Sequence, residues 1–189
     1  EAARALGRAI QEERFKQDFN RWKRQRHFQE IEAHVRWTAI KENIDPTFVL
    51  ALIIRESSLI SAAVSPKGAR GLMQLLPETA YDIAGKKLTE QELMDWQTNI
   101  TLGTKYLGKQ LREFGKVELA LSAYFNGPNR AHRRLSAKDT TKYINDIELY
   151  RKVINRRTKD YQIASISPAA SSPIRILVVD DKAMNRALY

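Results

Sequence analysis

Residues 46–56 constrain this chain more than any other stretch. Val49, Leu52, Ile53 and Glu56 fall at helical spacing, which aligns a carboxylate with the face that three aliphatic side chains commit to a core. Asp45 is placed to cap such a helix, and Pro46 fits its first position. A carboxylate at the rim of a core is desolvated, which disfavours its charged form and raises its pKa. A carboxyl group still protonated near neutral pH can act as a general acid. The plainer reading of Glu56 is an ion pair with Arg55 or another base, and periodicity alone favours it.

The 189 residues suffice for one domain with a real core plus appendages, and no apolar run is long enough to span a bilayer. Glu1 is not an initiator and the first residues are charged and helix-forming, so no export signal is read and the chain is expected to be a processed form or a fragment. Cysteine is absent, which excludes disulfides and cysteine-ligated metal within the chain. His27, His34 and His132 lack ligand-like spacing, so neither a metal nor another cofactor is expected. The net charge of +10 suits a polyanion such as nucleic acid, an anionic membrane or a wall bearing peptide carboxylates. Composition alone favours the simpler explanation of solubility. No groove-reading module accompanies the charge, so nucleic acid is not expected as a partner.

Along the chain, residues 1–28 read as a charged helical extension in which Leu6, Ile10, Phe15, Phe19 and Trp22 recur. Arg21, Lys23, Arg24 and Arg26 surround Trp22, a pattern that fits a solvated helix packed on the domain or on a partner. An envelope or secretion-complex protein is the kind of partner such an extension would serve. Ile31, Val35, Trp37, Ala39 and Ile40 supply the apolar positions of the next helix. Residues 65–68 form a turn signal, and residues 71–74 read as a short helix over the site. A helix over 77–84 stops at Gly85. Thr89 and Glu92 form a capping box, with Leu88 as a staple residue. A helix from Asn99 ends near Gly115, and Gly103 within it suggests close approach of another helix. An apolar helix from Val117 ends at Phe125-Asn126-Gly127-Pro128. Thr140 or Thr141 caps the last helix, whose stripe is Tyr143, Ile144, Ile147, Tyr150, Val153 and Ile154. The fold class is mostly α.

Four of these segments carry a resemblance. They are Glu56-Ser57 followed by Ser65-Pro66, Gly68, Gly71-Leu72-Met73-Gln74 and Pro77; Asn99-Ile100 with Gly103 and Tyr106-Leu107; Ala123-Tyr124-Phe125-Asn126-Gly127-Pro128; and Tyr143-Ile144. Together they resemble the catalytic domain of the soluble lytic transglycosylase (SLT, goose-lysozyme-like) family, enzymes that cut the glycan strands of bacterial peptidoglycan. The resemblance covers roughly residues 29–157. It implies a single lysozyme-like domain at 29–160, preceded by the extension 1–28 and followed by a linker and tail at 161–189. It implies Glu56 as the catalytic acid, and Ser57, Met73, Gln74, Tyr124, Asn126 and Tyr143 as substrate-binding residues. Asn99, Gly103 and Tyr106 are read as structural. Tyr124 is expected to find its hydroxyl's partner at or near Glu56. The chain departs from the family at Phe125, where an Asn is usual. Asn126 follows one place later, a shift that turns a helical side chain by about 100°.

The implied reaction cleaves the β-1,4 bond between N-acetylmuramic acid and N-acetylglucosamine without water and leaves 1,6-anhydromuramoyl ends. One carboxyl acts as acid and then as base, so no second catalytic carboxylate is required. Residues 71–76 and 122–129 contain no Asp or Glu, which agrees with that economy. Hydrolysis on the same fold and non-catalytic binding of peptidoglycan are the alternatives. The substrate implies periplasmic or extracellular action at the cell envelope. Residues 174–181 resemble the first strand of a response-regulator receiver domain, and Asp180 and Asp181 are assigned no function.

Overall fold

The computed structural model describes residues 2–24 and 26–166. Residues 1–156 form one compact unit; of the second unit, which begins at Arg157, only helical backbone as far as Ile166 is described. The receiver-like tail lies outside the described residues. The elements are α1 (Ala2–Lys23), α2 (Arg26–Lys41), α3 (Pro46–Ser57), α4 (Pro77–Ala84), α5 (Glu90–Met94), α6 (Trp96–Phe114), α7 (Val117–Asn126), a 3-10 turn (Pro128–Arg130), α8 (Ala131–Arg134) and α9 (Lys138–Ile166). Among the described residues, β pairing is confined to isolated bridges within one loop. No helix among them is long and apolar enough to cross a membrane.

The centre of the fold is α3. Asp45 accepts from the Thr47 N–H at 2.9 Å, Pro46 occupies the first turn, and Ser58 ends the helix in a left-handed conformation. Every residue from Phe48 to Ile54 is buried. A helix apolar all round has to be enclosed on all sides. The enclosure comes from Ile31, Val35 and Ala39 on α2, Ile100 and Leu107 on α6, Leu121 on α7, and Tyr143 and Ile147 on α9. A smaller cluster of Leu75, Ala80, Leu93 and Leu102 lies beside it, with Leu88 and Tyr106 at its margin.

The loop between α3 and α4 differs from the short helix expected over residues 71–74. It is a turn, closed by bridges of Arg70 to Val64 and to Leu75, with Gly71 at φ 78° and Gln74 at φ 48°. The cause is Asn99. Its side chain accepts from the Met73 N–H at 2.7 Å and donates to the Arg70 and Leu93 carbonyls, both at 2.9 Å. A Cβ at Gly71 would stand 2.4 Å from that amide, so this approach requires glycine. Gly103 serves the same loop. A Cβ there would meet the Met73 sulfur at 2.5 Å, so Gly103 accommodates a side chain and not a second helix.

Four other expectations are corrected. α6 starts at Trp96, ahead of Asn99, because Asp95 accepts from the Thr98 N–H at 2.9 Å. Leu6 and Ile10 are exposed, and only the second half of α1 is committed to the core, through Phe15 and Phe19. Phe15 stacks on Tyr150 at 4.1 Å, so the extension packs on its own domain. On α2, Ile40 is exposed and Thr38 takes the buried position, where its hydroxyl bonds to the His34 and Val35 carbonyls. Thr140 does not cap α9, which begins at Lys138; it is buried and accepts from Asn126.

Candidate active site

Glu56 lies at the end of α3, half-buried, on the wall of a cleft of about 490 Å³. Gln74, Tyr106, Tyr124, Phe125, Asn126 and Arg130 are among the other residues that line it. Glu56 is the sole carboxylate among the described lining residues. Tyr143, itself fully buried, donates its hydroxyl to Glu56 Oε1. Burial pushes the Glu56 carboxyl up to about 7, against the opposing pull of the Tyr143 hydrogen bond and the Arg55 charge. Desolvation outweighs both because neither one hydrogen bond nor a nearby cation removes the cost of placing a charge against a core.

Arg55 is not the partner of Glu56. Its Nε donates to Asp146 Oδ2 at 3.0 Å, and Asp146 also accepts from Lys142 at 2.6 Å and from Gln11 at 2.8 Å. The guanidinium sits 5.2 Å from the centre of the Tyr143 ring. The ion-pair alternative for Glu56 therefore does not describe this site: the neighbouring cation is engaged elsewhere, and the carboxyl keeps a high pKa.

The structure separates the expected binding residues other than Tyr143 into two groups. Gln74, Tyr124 and Asn126 line the cleft. The Gln74 amide nitrogen turns back to the Ala63 and Gly71 carbonyls, at 3.1 and 2.9 Å, and fastens the strained turn. Asn126 donates to Thr140 Oγ1 at 3.0 Å and to the Ser122 carbonyl at 3.1 Å, which ties the end of α7 to α9. Ser57 and Met73 form the second group, beneath the surface. Ser57 Oγ donates to the Ile53 carbonyl at 3.1 Å, as expected of a hydroxyl at a helix end with its preceding turn in reach. Met73 is fully buried against α6. Neither side chain lines the cleft, nor does that of Tyr143, which is fully buried and meets the site through its hydroxyl on Glu56.

The hydroxyl of Tyr124 donates to the Met73 carbonyl at 2.8 Å, so its partner is the loop and not Glu56. Burial, followed by the nearby Glu56 and Tyr106, raises its phenol well above the usual range and keeps it neutral. Tyr106 packs on Tyr124 at 5.1 Å between ring centres, and burial, with Glu113 and Asp82 nearby, pushes its phenol up to about 12. Tyr106, expected to be structural, reaches the cleft. The available signal was its register: residues 99, 103 and 106 share one helical face, and that face holds the Glu56-facing loop. Phe125, the departure from the family pattern, is 38% exposed and stacks on Tyr143 at 4.5 Å with an interplanar angle of 18°. It roofs the ring that holds Glu56. Among the described residues, no cluster of His, Cys, Asp or Glu is arranged to hold a metal ion.

An α-helical domain enclosing one central helix, with a single cleft carboxylate at that helix's end, is a lysozyme-like arrangement. Residues 34–147, more than half of the chain, match the family described as Transglycosylase SLT domain, and the chain belongs to that family. The chain is 38% identical over 102 residues to the soluble lytic murein transglycosylase of Escherichia coli K12, covering 50% of this chain and 16% of that protein. It is 39% identical over 90 residues to a transglycosylase of Enterobacteria phage PRD1, covering 48% of this chain and 32% of that protein. It is 32% identical over 135 residues to the membrane-bound lytic murein transglycosylase E of Buchnera aphidicola, covering 65% of this chain and 58% of that protein. Among solved structures, an inactive glutamate-to-glutamine mutant of the lytic transglycosylase Slt of Pseudomonas aeruginosa superposes with a TM-score of 0.62 at 27% identity, over 67% of this chain and 24% of that one. The 70 kDa soluble lytic transglycosylase of Escherichia coli gives the same TM-score of 0.62 at 23% identity, over 67% of this chain and 24% of that one, a likeness of fold.

Proposed function

We propose that this chain is a peptidoglycan lytic transglycosylase that uses Glu56 as acid and then base at the cell envelope, with the catalytic domain at 29–160. The observation that carries the reading is the lone cleft carboxylate, raised to about 7 and held by Tyr143. Because Tyr143 donates to Oε1, the acid's proton belongs on Oε2, which is then the atom that protonates the glycosidic oxygen. The bond between that oxygen and the muramoyl C1 breaks. The carboxylate left behind keeps the Tyr143 hydrogen bond, which stabilises its charge. It then takes the proton of the muramoyl C6 hydroxyl as that oxygen attacks C1 and closes the 1,6-anhydro ring. The nucleophile belongs to the substrate, so a cleft with one carboxylate suffices; a hydrolase of the two-carboxylate type needs a second. Gln74, Tyr106, Tyr124 and Asn126 form the walls against which the sugars are held.

The test is mass spectrometry of purified peptidoglycan digested by the wild-type protein and by Glu56→Gln. Products lighter by one water than hydrolytic muropeptides, and absent with Glu56→Gln, are expected. Reducing-end products of full mass would replace transglycosylation with hydrolysis by the same acid. A protein that captures peptidoglycan but yields no product would leave only the binding function.

A further inference from the structure

The inward stripe of α1 changes character along its length. Arg4, Arg8, Gln11, Phe15, Phe19 and Trp22 share one face by helical register. Phe15 and Phe19 are buried and Trp22 packs on the same core, whereas residues 2–10 are exposed throughout. Gln11 meets Asp146 at 2.8 Å and Phe15 stacks on Tyr150 at 4.1 Å, so α1 and α9 run side by side in the same direction. Where the aromatic contacts stop, a groove of about 620 Å³ opens between the two helices. Arg8 lines it from α1, and Lys138, Lys142 and Lys152 line it from α9. Lys142 is paired with Asp146 at 2.6 Å. Arg8, Lys138 and Lys152 have no carboxylate partner among the described residues. The fold thus sets like charges against each other across a gap, which is unfavourable until an anion enters. The groove's own carboxylates do not fill that place. Asp146 already takes Arg55, Lys142 and Gln11, and Glu148 lies against Arg151 at 3.9 Å.

We propose that this groove docks an acidic segment of a partner protein, laid between α1 and α9 with its carboxylates on Arg8, Lys138 and Lys152. The walls favour a polypeptide over other anions. Thr141 and Asn145 offer neutral donors to main-chain carbonyls, Glu148 offers an acceptor to a main-chain N–H, and half-buried Leu149 offers an apolar contact. A phosphate polymer has no donor for Glu148 and is repelled by it. A flat lipid surface does not enter a groove, and a second copy of a chain with a net charge of +10 is repelled as a whole. The groove shares no lining residue with the cleft, so the inference goes beyond the glycan reading and does not depend on it.

The experiment titrates the full chain with a fluorescently labelled glutamate-rich peptide, with polyphosphate of matched charge in a parallel titration. The wild type should bind the peptide, and the affinity should weaken as salt rises. In Arg8→Glu/Lys138→Glu/Lys152→Glu it should fall at least about tenfold. Lys86→Glu/Lys87→Glu/Lys109→Glu makes the same change in net charge at exposed sites outside the groove and should keep the affinity within about twofold. Arg8→Glu alone should hold or raise the midpoint in urea, because it relieves repulsion across the gap. No binding of the peptide by the wild type overturns the inference. So do equal losses in the two triple variants, which would make the attraction one of overall charge. Tighter binding of polyphosphate than of peptide at the groove overturns it in favour of a phosphate ligand, and a lower midpoint in Arg8→Glu overturns it by making Arg8 a structural residue. Turnover of peptidoglycan by the wild type reports on the cleft separately.

Discussion

Tyr143, 87 residues further along the chain than Glu56, gives its hydroxyl to that carboxyl from a ring with no solvent exposure. A donor fixed in this way favours the charged form of Glu56 and is opposed by the larger effect of burial. Removing the hydroxyl with Tyr143→Phe should therefore raise the pKa of Glu56 above its present value of about 7. The basic limb of the kcat/KM profile should move to higher pH, while kcat falls about tenfold to a hundredfold because the carboxylate formed in the first step loses its donor. A pH–rate profile of this variant checks both parts. An unmoved basic limb would remove Tyr143 from the account of Glu56.

The same raised pKa has a consequence for stability. The Glu56 carboxyl titrates near its ordinary value of 4.5 when unfolded and near 7 when folded. Between those values the folded state holds the extra proton, so stability falls as pH rises through this window and the loss is complete above the folded pKa. Glu56→Gln removes the titration. It should leave the protein little changed near pH 4 and make it more stable than the wild type at pH 8, by about 1–3 kcal/mol. Thermal melts of the two proteins across the range measure the difference directly. Parallel curves at all pH values would count against the burial of this carboxyl.

Phe125 acts on Glu56 through Tyr143. Its ring lies 4.5 Å from that of Tyr143 and covers it from the cleft. Phe125→Ala should let water reach the Tyr143–Glu56 bond, relax the desolvation and lower the pKa of Glu56 toward the ordinary carboxylate range. The basic limb of the rate profile should then move to lower pH, opposite to the shift in Tyr143→Phe. Loss of the stacked pair should cost about 1 kcal/mol of stability. Phe125→Tyr keeps the stacked ring and should keep the wild-type profile. A fall in rate without any movement of the profile would reduce Phe125 to a packing residue.

Much of the fold follows from local chemistry that a sequence displays. Asp45-Pro46, the Thr89–Glu92 box and Gly85 mark helix ends by rules that need no tertiary information, and the structure has helix ends at each. The apolar spacing of Val49, Leu52 and Ile53 leads directly to a buried α3 ending at Glu56. What the sequence hid depends on contacts between distant segments. The 71–74 turn has the composition of a short helix, and only Asn99, from another helix, explains why it is not one. Met73 and Ser57 have residue types that suit a binding site, but the loop's path places both below the surface. Tyr106 reaches the cleft by the register it shares with Asn99 and Gly103, whereas Phe125 does so only because α7 ends beside Glu56 in three dimensions. The engagement of Arg55 by Asp146 likewise joins residues 91 positions apart.

Asp146 links the N-terminal extension to the acid. It is nearly buried, with 6% side-chain exposure, and it accepts from Arg55, Lys142 and Gln11 of α1. Asp146→Asn removes the charge that Arg55 faces and leaves a partly buried guanidinium without its partner. Breaking such a pair should cost about 2–4 kcal/mol, read as a lower midpoint in urea. The unpartnered Arg55 charge should also act more fully on the neighbouring carboxyl and lower the pKa of Glu56, since a nearby cation favours its charged form. Gln11→Ala tests the contribution of the extension separately. It removes one neutral donor and should cost only about 1 kcal/mol, with the rate profile in place. If Asp146→Asn destabilised the protein without moving that profile, the link from α1 to Glu56 would be one of packing and not of charge.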